Sequence, residues 1–205
     1  MKDGEVQKAR GPMPIKNEEG FLEFSSEGFQ DMNKYKAKAG RAKQRADYYC
    51  NYVLEHFDTE NPDLSSGGYL EIFVTWAAFS CEMYFKSVLF HINAEDYFNE
   101  QPDGGKRIKE HRLWELYNEL TTSDTKQGTD YSIHISDGFA DFDSQLKSVS
   151  SYFVKYRYDF EMDTETMNYG FVFELMKRLR SITNGIRFLG SVEVYQDNEG
   201  YLVLS

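Results

Sequence analysis

The sequence feature that most constrains the fold is an uninterrupted, largely apolar stretch at residues 69–92, which contains neither Pro nor Gly. As a helix, this stretch extends about 36 Å. Apolar side chains cover two broad flanks of such a helix, so other elements must pack on both of them. Glu82 and Lys86 lie in the middle of the stretch, and charges at that depth disfavour a membrane span. The stretch therefore predicts a central core helix rather than a transmembrane one.

Glu82 and Lys86 are also four residues apart on this predicted helix, with the acid nearer the N-terminus. That spacing and that order favour an ion pair within the helix. If the pair is exposed to water, it contributes little to stability. The alternative is that both side chains turn into a polar seam with partners on other helices. The sequence leaves these two interpretations open.

Apolar side chains at alternating spacings of three and four predict further helices on either side of the central one. The predicted helices cover residues 30–57, 69–92, 106–120, 138–156 and 167–189. Residues 95–105 end in Asp-Gly-Gly and are predicted to be a loop. Residues 121–137 are predicted to be a polar connection with a brief extended piece at 131–135. The expected fold class is all-α, an up-and-down bundle of about five helices.

The two ends of the chain depart from this helical pattern. Residues 1–20 are polar, contain Pro12 and Pro14 and show no apolar periodicity, which predicts a flexible N-terminal arm. Residues 21–190 are predicted to form the helical bundle as one domain. Residues 191–205 contain two short apolar runs around the sequence QDNEG, which predicts a small C-terminal β-hairpin.

Composition narrows the classes of protein to consider. The formal net charge is −11, which is unlike a general nucleic-acid-binding protein. Cys50 and Cys81 lack the spacing of a metal site, so both are predicted to be buried free thiols in a reducing compartment. The N-terminus has no apolar signal-peptide region, and the predicted location is the cytoplasm. No phosphate-binding glycine loop, zinc spacing or nucleophile motif occurs, so neither a cofactor nor a metal is expected.

One basic surface contrasts with this acidic composition. Lys34, Lys38, Arg41 and Arg45 recur at helical spacing along one side of the predicted helix 30–57. Between residues 32 and 46 there are six basic residues and no acidic one. This surface is either a solvated helix face that pairs with acids elsewhere in the fold, or a surface that binds RNA phosphates or an acidic partner.

Three short segments of the chain carry a family resemblance. They are Ser80-x-Glu82-x-Tyr84-x-Lys86-Ser87-x-Leu89, then Lys109-x-His111-Arg112-Leu113-x-x-Leu116-Tyr117, then Phe153-x-Lys155-Tyr156-Arg157-Tyr158-x-x-Glu161. In this order, over about residues 69–189, they resemble segments of bacterial members of the HEPN superfamily (higher eukaryotes and prokaryotes nucleotide-binding). The resemblance implies an α-helical bundle that is often dimeric. It also implies a role in a toxin–antitoxin or phage-defence system, where many members act.

The best-known activity of that family is metal-independent RNA cleavage, with a motif of an Arg, four to six residues, then a His. In that chemistry the His transfers a proton and the Arg stabilises phosphate charge. None of the four histidines follows an Arg at this spacing, and His111 has only three residues between it and Arg107. The resemblance therefore implies a non-catalytic domain that binds RNA, a nucleotide or a partner protein. A divergent endoribonuclease and a structural, oligomerising protein are the alternatives.

The charged residues of the three segments are expected to meet in a polar cluster between helices. These residues are Glu82, Lys86, His111, Arg157 and Glu161. Such a cluster either fixes the register of the helices or forms a remnant nucleotide or RNA site in which Lys86 and Arg157 hold phosphate. For the enzyme alternative, His111 and Arg157 are the catalytic candidates. The sequence leaves three partners open, namely RNA or a nucleotide, a partner protein and a second copy of the chain, and predicts no membrane partner.

Overall fold

The computed structural model describes residues 33–60, 68–101, 105–152 and 168–186, together with strand residues 15–16, 22–23, 194–196 and 202–204. Its helices are α1 (Asn33–His56), α2 (Gly68–Ile92), α3 (Ala94–Glu100), α4 (Leu113–Gln127), α5 (Tyr131–Ser136), α6 (Phe142–Val149) and α7 (Tyr169–Asn184). Its strands are β1 (Ile15–Lys16), β2 (Leu22–Glu23), β3 (Val194–Gln196) and β4 (Leu202–Leu204). The core is built from helices, which confirms the predicted all-α bundle, but the described residues contain seven helices and not about five, because the sequence pattern missed the two short helices α3 and α5.

The four strands lie near the two ends of the chain and form two antiparallel pairs. β1 pairs with β2, with Ile15 opposite Glu23. β3 pairs with β4, with Val194 opposite Leu204. The connection between β3 and β4 lies outside the described residues, so the C-terminal hairpin stays a prediction. Most of residues 1–20 lie outside them as well, and the flexible arm and the domain limits also stay predictions.

α2 is the central element of the bundle, as its sequence predicts. All of residues 80–90 are buried. α2 packs most extensively on α1, and it also packs on α7 and α4. Because neighbours cover it on several sides, both apolar flanks are removed from water. Among the described helices, none combines the length and the apolar character that a membrane span requires.

Small residues allow α1 and α2 to approach each other closely. Ala39 and Ala46 of α1 are buried, and so are Ala77 and Ala78 of α2. Near these residues, the Ser80 hydroxyl of α2 donates a 2.8 Å hydrogen bond to the Ala46 carbonyl of α1. A short side chain of one helix therefore reaches the backbone of the other, and the contact leaves no room for a larger side chain.

Replacing Ala46 by Leu should lower the free energy of unfolding by about 1–3 kcal/mol, because the added atoms must displace closely packed neighbours. The control is Gln44→Leu, at an exposed position of the same helix, where a change below about 0.5 kcal/mol is expected. Urea unfolding followed by far-ultraviolet circular dichroism measures both. Equal effects of the two substitutions would contradict the close contact.

The structure corrects the prediction for two segments, both of which contain short helices. Residues 95–105 were predicted to be a loop, but most of them lie in α3. Tyr97 accounts for this helix, since its ring packs 5.9 Å from that of Tyr35 and 5.8 Å from that of Phe90, between centroids. Residues 131–135, predicted to be extended, lie in α5, where Ser132 and Ile135 are buried. Helices of fewer than about two turns are too short to show a distinct period.

The predicted helix 106–120 is displaced towards the C-terminus. It begins only at Leu113 and continues to Gln127 as α4, while residues 105–112 are not helical. Buried Asp124 joins α4 to α5, because its carboxylate accepts hydrogen bonds from the Thr129 hydroxyl at 2.5 Å and the Ser132 amide at 2.6 Å. The predicted helices 138–156 and 167–189 correspond to α6 and α7, which are shorter within the described residues.

Candidate functional site

A cleft of about 270 Å³ lies where α1, α2 and the segment 105–112 meet. Its lining residues are Lys38, Arg41, Ala42, Arg45, Met83, Lys86, Phe90, Lys106, Arg107 and Ile108. Six of these ten described residues are Lys or Arg, and none is acidic. In a chain with a formal net charge of −11, this basic cleft is a strong local concentration of positive charge.

α1 contributes Lys38, Arg41 and Arg45 to the basic cleft, since spacings of three and four place them on one helix face. Arg41 and Arg45 are exposed, and no acid among the described residues forms an ion pair with either. Lys43 lies elsewhere on the helix and pairs with Asp47 at 2.6 Å. Lys43, another of the six basic residues, is thus paired with an acid of its own helix. The two arginines of the predicted basic surface have no such partner and are available to a ligand.

Lys34, the first residue of the predicted stripe, is not among the residues that line the basic cleft. Lys38 is more enclosed than the arginines, and its Nζ donates a 2.7 Å hydrogen bond to the Lys106 carbonyl. Burial, and then the positive charges of Arg41 and Arg107, lower the pKa of Lys38. The cations are thus close enough to repel one another, and an anion bound between them would relieve that repulsion.

The segment 105–112 forms the far wall of the basic cleft and is held by hydrogen bonds from α1. The Tyr35 hydroxyl donates to the Gln101 carbonyl at 2.8 Å and accepts from the Lys106 amide at 3.2 Å. Tyr35 is fully buried, so these bonds are anchored in the core. They place Arg107 and Ile108 opposite the basic face of α1.

Lys86 joins the basic cleft to a buried carboxylate. Its Nζ donates to Glu82 Oε1 at 2.7 Å, and His111 Nδ1 lies 2.9 Å from the same oxygen. The Glu82 side chain is fully buried, that of Lys86 is 8% exposed and that of His111 is 51% exposed. Glu82 Oε2 has no hydrogen-bond partner among the described residues. The pair is thus buried and not an exposed ion pair. Its third member, His111, lies in the non-helical segment 105–112 and not on another helix, as the polar-seam interpretation expected.

The structure brings together three of the five residues of the predicted polar cluster, Glu82, Lys86 and His111. The other two, Arg157 and Glu161, lie outside the described residues. The complete cluster stays a prediction, and so does the catalytic pairing of His111 with Arg157.

Sequence reasoning missed Lys106 and Arg107 as site residues, although a basic pair directly after two glycines was a visible signal. It also missed Tyr48, because the apolar seam of the predicted helix includes Tyr49 and gives Tyr48 no role. Tyr48 is 67% exposed, and its ring lies on the surface of α1.

Metal and thiol chemistry receive no support from the described part of the chain. No three His, Cys, Asp or Glu side chains come together there as a metal site. Cys50 and Cys81 are buried free thiols, as predicted, and burial raises the pKa of each. Thiols of this kind are unreactive core residues.

Comparisons with protein-family models, with curated proteins and with solved structures find no match to this chain. The resemblance to the HEPN superfamily therefore stays a prediction. Fold and site together define an all-α protein with a basic cleft between its first two helices and a non-helical segment. A fold alone does not imply a function, so the residues that line the basic cleft are the best indication of what the protein does.

Proposed function

We propose that this protein acts by binding RNA or a nucleotide through phosphate groups held in the basic cleft, without catalysing a reaction. The observation that carries the proposal is the lining of the cleft, which has six Lys or Arg residues and no acid. Guanidinium groups hold phosphate through pairs of parallel N–H donors. A ligand of this class would also neutralise charges that otherwise repel one another.

The arginines are the residues best suited to contact phosphate. Arg41, Arg45 and Arg107 are all exposed, and none forms an ion pair within the described residues. Lys86 and Lys106, by contrast, pair with Glu82 and Glu100. These lysines shape the cleft and contribute positive potential, while the arginines supply the hydrogen-bond donors for phosphate.

The shape and the lining of the basic cleft suit a small phosphate-bearing group. Its volume of about 270 Å³ lies just below the usual range for small-molecule sites, about 300–1,000 Å³. The six basic side chains that line it supply the charge that a phosphate requires. A place in a bacterial defence or toxin–antitoxin system, and a homodimeric state, follow from the family resemblance and form part of the proposal.

Neutralising both exposed arginines of α1 should weaken RNA binding at least about tenfold, because two phosphate contacts are lost. The variant is Arg41→Gln with Arg45→Gln. Fluorescence anisotropy with labelled single-stranded and transfer RNA, repeated over a series of salt concentrations, measures the effect. The slope of the logarithm of affinity against the logarithm of salt concentration should fall by about 1–2.

The matched control is Lys36→Gln with Lys43→Gln, which removes the same charge from the same helix but outside the lining of the basic cleft. This control should keep both its affinity and its salt slope. Equal losses in the two double variants would show that net charge matters and the cleft does not. A wild-type protein that retains neither RNA nor a labelled nucleotide would contradict the proposal.

An endoribonuclease is the second candidate, and one observation favours it. His111 is half-exposed and lies 2.9 Å from a fully buried carboxylate, which is how proteins orient an imidazole for proton transfer. Incubation with labelled RNA in the presence of a chelator tests this function. If His111→Ala abolishes cleavage but retains RNA, the protein is an enzyme. If the wild-type protein binds without cleaving, the binding function stands.

A further inference from the structure

A second hollow lies directly beside the basic cleft and shares Arg41 and Arg45 with it. It is otherwise lined by Gln44, Tyr48, Tyr49 and Phe79. Because the two arginines belong to both linings, a ligand held by them in the cleft can extend into this aromatic hollow.

The rings of the aromatic hollow form an ordered chain from the core to the surface. Phe79 lies 4.8 Å from Tyr49, with their planes at 87°, and Tyr49 lies 5.3 Å from Tyr48, with their planes at 90°. Edge-to-face contacts of this kind favour one orientation of a ring by about 0.5–1.5 kcal/mol. The contact with Tyr49 therefore favours one orientation of Tyr48, while 67% of the residue's surface faces solvent.

An exposed, oriented ring beside two guanidinium groups matches one class of ligand well. Nucleobases stack on aromatic faces, and Arg side chains hold the phosphates between them. A base within a duplex is already stacked on both sides, so only an unpaired base can use the ring. A polyanion without bases would bind the arginines but would make no stacking contact with the Tyr48 ring.

We infer that the protein binds single-stranded nucleic acid, with one base stacked on Tyr48 and the adjoining phosphate held by Arg41 and Arg45. This inference rests on the proposed function, because the phosphate must occupy the basic cleft for the base to reach the aromatic hollow. Beyond the proposed function, the inference assigns a base-stacking subsite and predicts that the protein prefers single strands to duplexes.

The experiment compares Tyr48→Ala and Tyr48→Phe with the wild-type protein. The probes are a labelled single-stranded oligouridine, an RNA duplex and inorganic polyphosphate as a base-free polyanion. Tyr48→Ala should weaken oligouridine binding about five- to one-hundredfold, the range for loss of one base–aromatic stack. Tyr48→Phe should keep wild-type affinity, and polyphosphate should bind all three proteins equally. Ile133→Ala, which removes another highly exposed apolar side chain, serves as the control.

The possible failures of the two proposals are distinguishable in this experiment. If oligouridine and polyphosphate bind but Tyr48→Ala changes neither affinity, the stacking subsite is excluded and the phosphate cleft survives. Equal weakening of both probes, or duplex binding as tight as single-strand binding, also overturns the subsite. If the wild-type protein binds none of the three probes, the proposed function and the subsite fail together.

Discussion

Replacing Glu82 by Ala is expected to lower the free energy of unfolding by about 3–5 kcal/mol, because it leaves a buried cation without its partner. The Lys86 side chain is only 8% exposed, and its ammonium group lies 2.7 Å from Glu82. Once the carboxylate is gone, Lys86 must either keep a poorly solvated charge or release its proton. Both outcomes cost free energy that the native pair avoids. Urea unfolding followed by circular dichroism measures the loss.

The double variant Glu82→Leu with Lys86→Leu provides the control. Removing both charges also removes the cost of burying them, so this variant should be far more stable than Glu82→Ala and close to the wild-type protein. Adding the single variants Glu82→Leu and Lys86→Leu completes a double-mutant cycle, and its coupling energy isolates the ion pair from the rest of the packing. A loss below about 1 kcal/mol for Glu82→Ala would instead place the pair among exposed ion pairs.

The same double variant separates the two roles of Lys86, since it lines the basic cleft and also pairs with Glu82. If the folded double variant binds RNA less tightly, Lys86 contributes to the positive potential that attracts phosphate. If its RNA affinity is unchanged, Lys86 is only structural there, and the arginines carry the binding.

The central helix was predictable because its pattern persists over many turns. A stretch of this length without Pro or Gly has few alternatives to a core helix, and α2 begins and ends within one residue of the predicted bounds. The ion pair between Glu82 and Lys86 was predictable for the same reason, because their spacing of four residues places them on one face of that helix. Their burial was not, because it depends on His111 and on neighbours that are distant in sequence.

The basic cleft was only partly predictable, because two of its three walls obey helical spacing and the third does not. Arg41 and Arg45 could be placed on one face of α1 from their spacing alone. Lys106 and Arg107 could not be placed opposite them, since the segment 105–112 is positioned by tertiary hydrogen bonds and leaves no periodic trace in the sequence. The apolar residues that predicted the helix 106–120 are Leu113, Leu116, Tyr117 and Leu120, and all four lie in α4. They carried no information on the residues before Leu113, which tertiary contacts keep out of the helix.

Replacing Tyr35 by Ala is the second substitution for which a loss of about 3–5 kcal/mol is expected, the usual cost of truncating a buried aromatic side chain. The ring is fully buried and lies 6.4 Å from that of Phe90 and 5.9 Å from that of Tyr97. Its removal leaves a cavity between α1, α2 and α3. It also deprives the Lys106 amide and the Gln101 carbonyl of their shared partner. Thermal or urea unfolding measures the total loss.

Tyr35→Phe separates the hydroxyl from the ring, and it bears directly on function. This variant keeps the packing and loses only the two hydrogen bonds, so the cost should be about 1–3 kcal/mol. Amide hydrogen exchange at Lys106 should accelerate, and RNA affinity should fall, because Arg107 is no longer held opposite α1. If Tyr35→Phe retains both the slow exchange and the affinity, the hydroxyl does not hold the wall. The 2.7 Å hydrogen bond from Lys38 Nζ to the Lys106 carbonyl would then be enough to hold the segment 105–112 in place.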